Sequence, residues 1–188
     1  MPDFSEHCNG LPTLLIRDLN NTRLSTGAVL VRLSTDEICV LHDRERHEYV
    51  LPYTSRSYIE RPRDTAMRTA TESTGFRCHL PVVNLLTHVG STITKRAGMS
   101  HGIPEPFTLQ ICHVEDDQVQ VIWRFVVEVD EKQPQSEFRL HKKRYAVEFY
   151  SYADVHSKLT IQLDREMVRK AIDVLGATYP WSDKKYRG

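Results

Sequence analysis

The chain has 188 residues, with 25 Lys plus Arg against 25 Asp plus Glu. That length suits one domain, and the charge balance removes any global electrostatic reason to expect a nucleic-acid or membrane-surface partner. Cys8, Cys39, Cys78 and Cys112 form no CxxC pair or short Cys/His cluster, which argues against zinc and against a disulfide framework.

Met1–Gly10 is polar, without the apolar core of a secretion signal, and no apolar stretch approaches the ~20 residues of a membrane span, so a cytoplasmic protein is expected. Residues 1–24 read as an N-terminal segment with one apolar piece, Leu14–Ile16. Gly27–Leu33 and Glu37–His42 are strand-like runs at hairpin spacing around Ser34-Thr35-Asp36. A third short run, Glu48–Tyr53, ends at Pro52. Residues 62–74 read as a helix: Pro62 suits a first turn, Asp64 complements the helix dipole, and Gly75 is placed to cap the end. Ala66 and Ala70 lie one turn apart and allow close packing.

Phe76–Val89 is strand-like, and Gly90–Pro106 is a long polar loop. Two strands follow, Phe107–Val114 and Gln118–Val129, around Asp116-Asp117. Residues 130–143 form a charged linker before a last strand, Tyr145–Tyr150. Asp164–Leu175 carries apolar residues at helical spacing, with Asp164 as N-cap. Residues 180–188 are a polar tail. Together these elements predict an α+β domain, a mixed sheet covered by helices.

The segment Leu51–Phe76 resembles the Nudix box, G-x5-E-x7-R-E-U-x-E-E-x-G-U with U apolar. Glu60, Arg68, Ala70, Glu72, Gly75 and Phe76 stand at the required spacing. Thr54, Thr69 and Ser73 stand where the pattern has Gly, Glu and Glu. Ser25–Val29, Leu51-Pro52, Glu105-Pro106-Phe107 and the strand around Trp123 extend the resemblance, the last two toward a fungal-type branch. It implies a Nudix-like α/β/α sandwich over residues 25–179, related to hydrolases of nucleoside-diphosphate-linked compounds. It also implies a metal set of Glu60, Glu72 and Glu148, with Glu72 and Arg68 as catalytic residues; Gly27 beside the expected pocket, and Lys95 and Arg96 on the long loop, are the candidate substrate contacts.

Residues three and four apart share a helix face, so Thr69, Glu72 and Ser73 point one way. In the family that face carries glutamates for Mg²⁺ or Mn²⁺; here it offers one, and hydroxyls are poor ligands for hard cations. Mg²⁺ or Mn²⁺ is therefore expected to bind weakly or not at all, leaving a pseudoenzyme that retains a small-molecule diphosphate or related ligand. Two alternatives stay open: an active atypical hydrolase using the three glutamates, and recruitment to metal-free chemistry. Ordinary roles stand beside these. Glu60 and Arg68 form a structural ion pair, Glu148 faces solvent, and Lys142-Lys143-Arg144 is a solvated run rather than a phosphate attractor. No sequence feature sets an oligomeric state.

Overall fold

A computed structural model describes residues 22–57, 59–83, 105–113, 119–130 and 144–179. Within them eight strands form one mixed sheet: β1 (Thr22–Arg32), β2 (Glu37–Asp43), β3 (Glu48–Val50), β4 (Tyr53–Ser55), β5 (Cys78–His79), β6 (Thr108–His113), β7 (Val119–Val129) and β8 (Tyr145–Ser151). The helices are α1 (Pro62–Thr74), α2 (Val155–Lys158) and α3 (Gln162–Thr178).

The centre of the sheet is β1, paired in parallel with β7 from Thr22↔Val119 to Val31↔Glu128. This long pairing carries β1 five residues earlier than its apolar run suggests. β1 and β2 pair only from Leu30↔Cys39 to Arg32↔Glu37 and then diverge. β3 continues along β2 and β4 along β1, so the run expected at Glu48–Tyr53 is two strands flanking a split in the sheet. Pro52, which has no N–H for a ladder, marks the break, and its carbonyl accepts the Ala28 N–H at 3.0 Å.

Strand alternation sorts the core into two layers. Ala28, Leu30, Cys39, Phe125 and Val127 pack under Ala66 and Ala70 of α1. Val29, Val31, Ile38, Val40 and Val126 pack against Met167, Val168, Ala171 and Leu175 of α3. Helices therefore lie on both faces, the expected α/β/α layering. α1 begins at Pro62 and ends at Gly75, whose φ of 77° is left-handed and whose N–H caps the Thr71 carbonyl.

Some expectations are corrected. α3 starts at Gln162 with Ile161 in the N-cap position, and Asp164 lies inside the first turn with its carboxylate turned to the sheet. Of the run Phe76–Val89, residues 76–83 are described, and within them only Cys78–His79 is strand. α2 has no counterpart in the sequence reading. Residues 90–104 of the long loop lie outside the described residues, as do most of the N-terminal segment, all of the linker but Asp130, and the tail. No helix among the described residues is long and apolar enough to cross a membrane.

Candidate functional site

A cavity of about 240 Å³ opens over the split between β1 and β2, on the α1 side. Leu41, Val50, Leu51 and Pro52 form its apolar part. Tyr53 and Thr54 come from β4, Arg144 and Tyr145 from the start of β8, and Thr69, Glu72 and Ser73 from one face of α1. The helix face singled out by the sequence thus does border a cavity.

On that face one guanidinium holds both neighbouring carboxylates. Arg68 Nε donates to Glu60 Oε1 at 3.0 Å and Nη2 to Glu60 Oε2 at 2.9 Å, a bidentate pair. Its Nη1 donates to Glu72 Oε2 at 3.2 Å, one helical turn away. Arg56 Nη1 adds a bond to the Glu60 carbonyl at 3.1 Å, which closes the β4–α1 connection on itself while Arg68 ties it to the helix. The Arg68 hydrogen bond holds the Glu60 carboxyl below its usual range, and the same pairing raises Arg68.

Thr69, which replaces the first missing glutamate, is buried; its hydroxyl donates to the Thr65 carbonyl at 2.7 Å. Such a bond to the preceding turn turns the oxygen into the helix. Thr54, which replaces the glycine, lies in β4 opposite Thr26 in extended pairing. Among the described residues other than glycine, only Asp36 and His47 have positive φ, so this position requires no glycine.

The register places Glu148 elsewhere. It is opposite Val40, whose side chain packs toward α3, while its neighbours Val147 and Phe149 face α1. Glu148 accepts from the Tyr150 hydroxyl and lies 3.3 Å from His42 Nδ1. Desolvation, then the Glu148 contact, raises the Tyr150 hydroxyl's pKa. Glu148 is thus on the opposite sheet face from Glu60 and Glu72, and the expected three-carboxylate set is not assembled. Among the described residues no group of three or more His, Cys, Asp or Glu is arranged to hold a metal ion. These donors do not fit the divalent cation that the resemblance implies.

Gly27 also has a different setting. A Cβ there would lie 2.5 Å from Arg124 Nη1, so the glycine makes room for a buried side chain. Arg124, on β7 beside Gly27, is about 1% exposed. Its Nε and Nη2 donate to Gln110 Oε1 at 3.2 and 3.0 Å. Nη2 also reaches Asp164 Oδ1 at 3.4 Å, and Nη1 reaches the Pro52 carbonyl at 3.5 Å. The other Asp164 oxygen accepts the Leu51 N–H at 2.9 Å. Burial pushes the Arg124 pKa down and the Asp164 pKa up, each resisted by its partner's charge. The backbone of two cavity residues, Leu51 and Pro52, is therefore gripped from the α3 side. Lys95 and Arg96 lie outside the described residues.

Sequence reasoning missed the β8 wall. Arg144 donates from Nε and Nη2 to Asp43 Oδ2 at 3.0 and 2.6 Å and approaches Glu45 Oε2 at 3.4 Å. Arg144 holds the Asp43 carboxyl down at about 2. The available signal was Asp43 and Glu45 at the end of one strand and Arg144 at the start of another, but only the β2–β8 register joins them.

No protein-family model matches the chain, and no curated protein matches it in sequence. Solved structures do match in fold. A hydrolase of the NUDIX family from Clostridium perfringens superposes with a TM-score of 0.57 at 12% identity, covering 81% of this chain and 97% of that one. A NUDIX hydrolase from Nitrosomonas europaea gives 0.57 at 12% identity, covering 86% and 94%. A MutT NUDIX hydrolase from Burkholderia pseudomallei gives 0.52 at 15% identity, covering 79% and 97%. This protein has a Nudix-like fold.

Proposed function

We propose that this Nudix-like domain has lost or greatly weakened metal-dependent hydrolysis and acts as a small-molecule binding module through the cavity beside α1. The observation that carries this reading is the arrangement on α1. Both Glu60 oxygens and one Glu72 oxygen accept from Arg68, and the Thr69 hydroxyl is bonded to its own helix. A hard cation needs several converging oxygens to replace its water. Freeing Glu60 would break a bidentate pair, and Thr69 and Ser73 offer no charge in exchange.

Fold alone does not carry activity, because chemistry depends on the site. The test is release of product from nucleoside-diphosphate-linked compounds in Mg²⁺ or Mn²⁺, with Glu72→Gln as control. The reading expects wild type and Glu72→Gln to be indistinguishable. Metal-dependent release that Glu72→Gln suppresses would overturn it. It would instead favour an active atypical hydrolase, a reading supported by the position of Glu72 on the cavity wall. The double variant Thr69→Glu/Ser73→Glu adds back two carboxylates and is expected to gain metal binding that the wild type lacks.

A further inference from the structure

We infer that the cavity selects an uncharged, hydroxylated single-ring molecule of sugar size over its phosphorylated counterpart. The inference rests on the binding-module reading and names the ligand class for that site.

Three observations carry it. The first is size. About 240 Å³ falls below the ~300–1,000 Å³ usual for small-molecule sites. One ring fits that space better than a two-part diphosphate conjugate.

The second is the state of the one cation among the described wall residues. An arginine recognises phosphate with its planar fork of N–H donors. In Arg144 that fork already meets Asp43 at 3.0 and 2.6 Å, with Glu45 at 3.4 Å. Asp43 is itself fixed, since its other oxygen accepts the Glu45 and Arg46 N–H groups at 3.0 and 3.2 Å. Two carboxylates therefore outweigh the single positive charge of Arg144, and a phosphate approaching its remaining Nη1 edge meets net negative charge.

The third is Glu72. Arg68 divides its one charge between Glu60 and Glu72, so this wall keeps a net negative charge that repels a phosphate. The Glu72 carboxylate is a good acceptor for ligand hydroxyls, because it carries lone pairs on both oxygens and no proton of its own. Thr54 and Ser73 add hydroxyls that donate or accept as required, and Leu41 and Leu51 offer an apolar surface to a ring face. The lining mixes polar and apolar surface in about equal parts, which suits a ring that carries hydroxyls.

The test is a set of matched pairs: ribose with ribose 5-phosphate, glucose with glucose 6-phosphate, and myo-inositol with an inositol monophosphate. Binding is read from amide shifts of Thr54, Ser73 and Tyr145 in the full chain, without added metal. The neutral member of at least one pair is expected to bind about tenfold more tightly than its phosphorylated partner. Asp43→Asn, which frees the Arg144 fork, is expected to narrow that gap. Should Asp43→Asn fail to fold, Glu72→Gln on a half-exposed helix position removes the repulsion and is expected to narrow it as well. Equal or tighter binding of the phosphorylated members overturns the inference, as does silence from every pair. Neither result touches the reading of the α1 face, which falls only to metal-dependent turnover.

Discussion

Two arginines, one on each face of the sheet, teach different lessons about this molecule. Arg68 sits on the α1 side, partly exposed, and holds Glu60 and Glu72 in water. Arg124 sits on the α3 side, almost fully buried, and joins β7, β6, α3 and the Leu51-Pro52 bend. Solvent screens the first, so its pairs add little to stability and act mainly on local chemistry by occupying carboxylate oxygens. Desolvation makes the second costly to leave unpaired, so it acts on architecture. One face governs what the cavity can bind, and the other governs whether two of its wall residues stay in place.

The sharpest way to break this contrast is Asp164→Ala. It leaves Arg124 buried without its counter-charge and Leu51 N–H without an acceptor, and should destabilise the fold by about 3–5 kcal/mol in urea unfolding. A loss under about 1 kcal/mol would mean that the buried network is not a clamp. Next comes Gly27→Ala. Its Cβ would meet the Arg124 guanidinium at 2.5 Å, and over-packing of this kind costs about 1–3 kcal/mol. Arg68→Gln should cost only about 0–1 kcal/mol, as exposed ion pairs do. A loss as large as that of Asp164→Ala would erase the distinction between the two faces.

A smaller effect should appear with pH. The Asp43 carboxyl titrates at about 2 in the folded chain, below its value of ~3.9 when unfolded. A lowered acid contributes stability that is complete above the unfolded pKa and is lost as pH falls through the folded one. Wild type should therefore lose part of its advantage over Asp43→Asn between about pH 4 and pH 2, measured by urea unfolding at each pH. A pH-independent difference would assign Asp43 to shape rather than charge.

The sequence made one of these faces far more legible than the other. Local chemistry delimits α1: Pro62 at its start, Gly75 in the left-handed cap, and Ala66 and Ala70 against the sheet. Spacing along that helix placed Thr69, Glu72 and Ser73 together, and the cavity borders all three. The Arg124 network had no comparable local signal, because its partners lie 14, 40 and 72 residues away in the chain. Asp164 has the residue type of an N-cap, yet it sits inside the first turn and its carboxylate bonds Leu51 across 113 residues. Alternation shows that Glu148 and Phe149 face opposite ways but not which faces α1; the pairing of Glu148 with Val40 decides it. Pro52 marked a strand end in the sequence, whereas the split it sits in arises only because β1 and β2 part company.

The central claim concerns how few acidic oxygens on the α1 face remain free for a cation. Calorimetric titration of Mn²⁺ into the wild-type chain, alone and with a nucleoside diphosphate present, tests it most directly. The account predicts no saturable one-to-one heat from the chain alone, and with the nucleoside diphosphate present only the heat that Mn²⁺ gives with that nucleotide in the absence of protein. A saturable one-to-one isotherm that Glu72→Gln abolishes would contradict it.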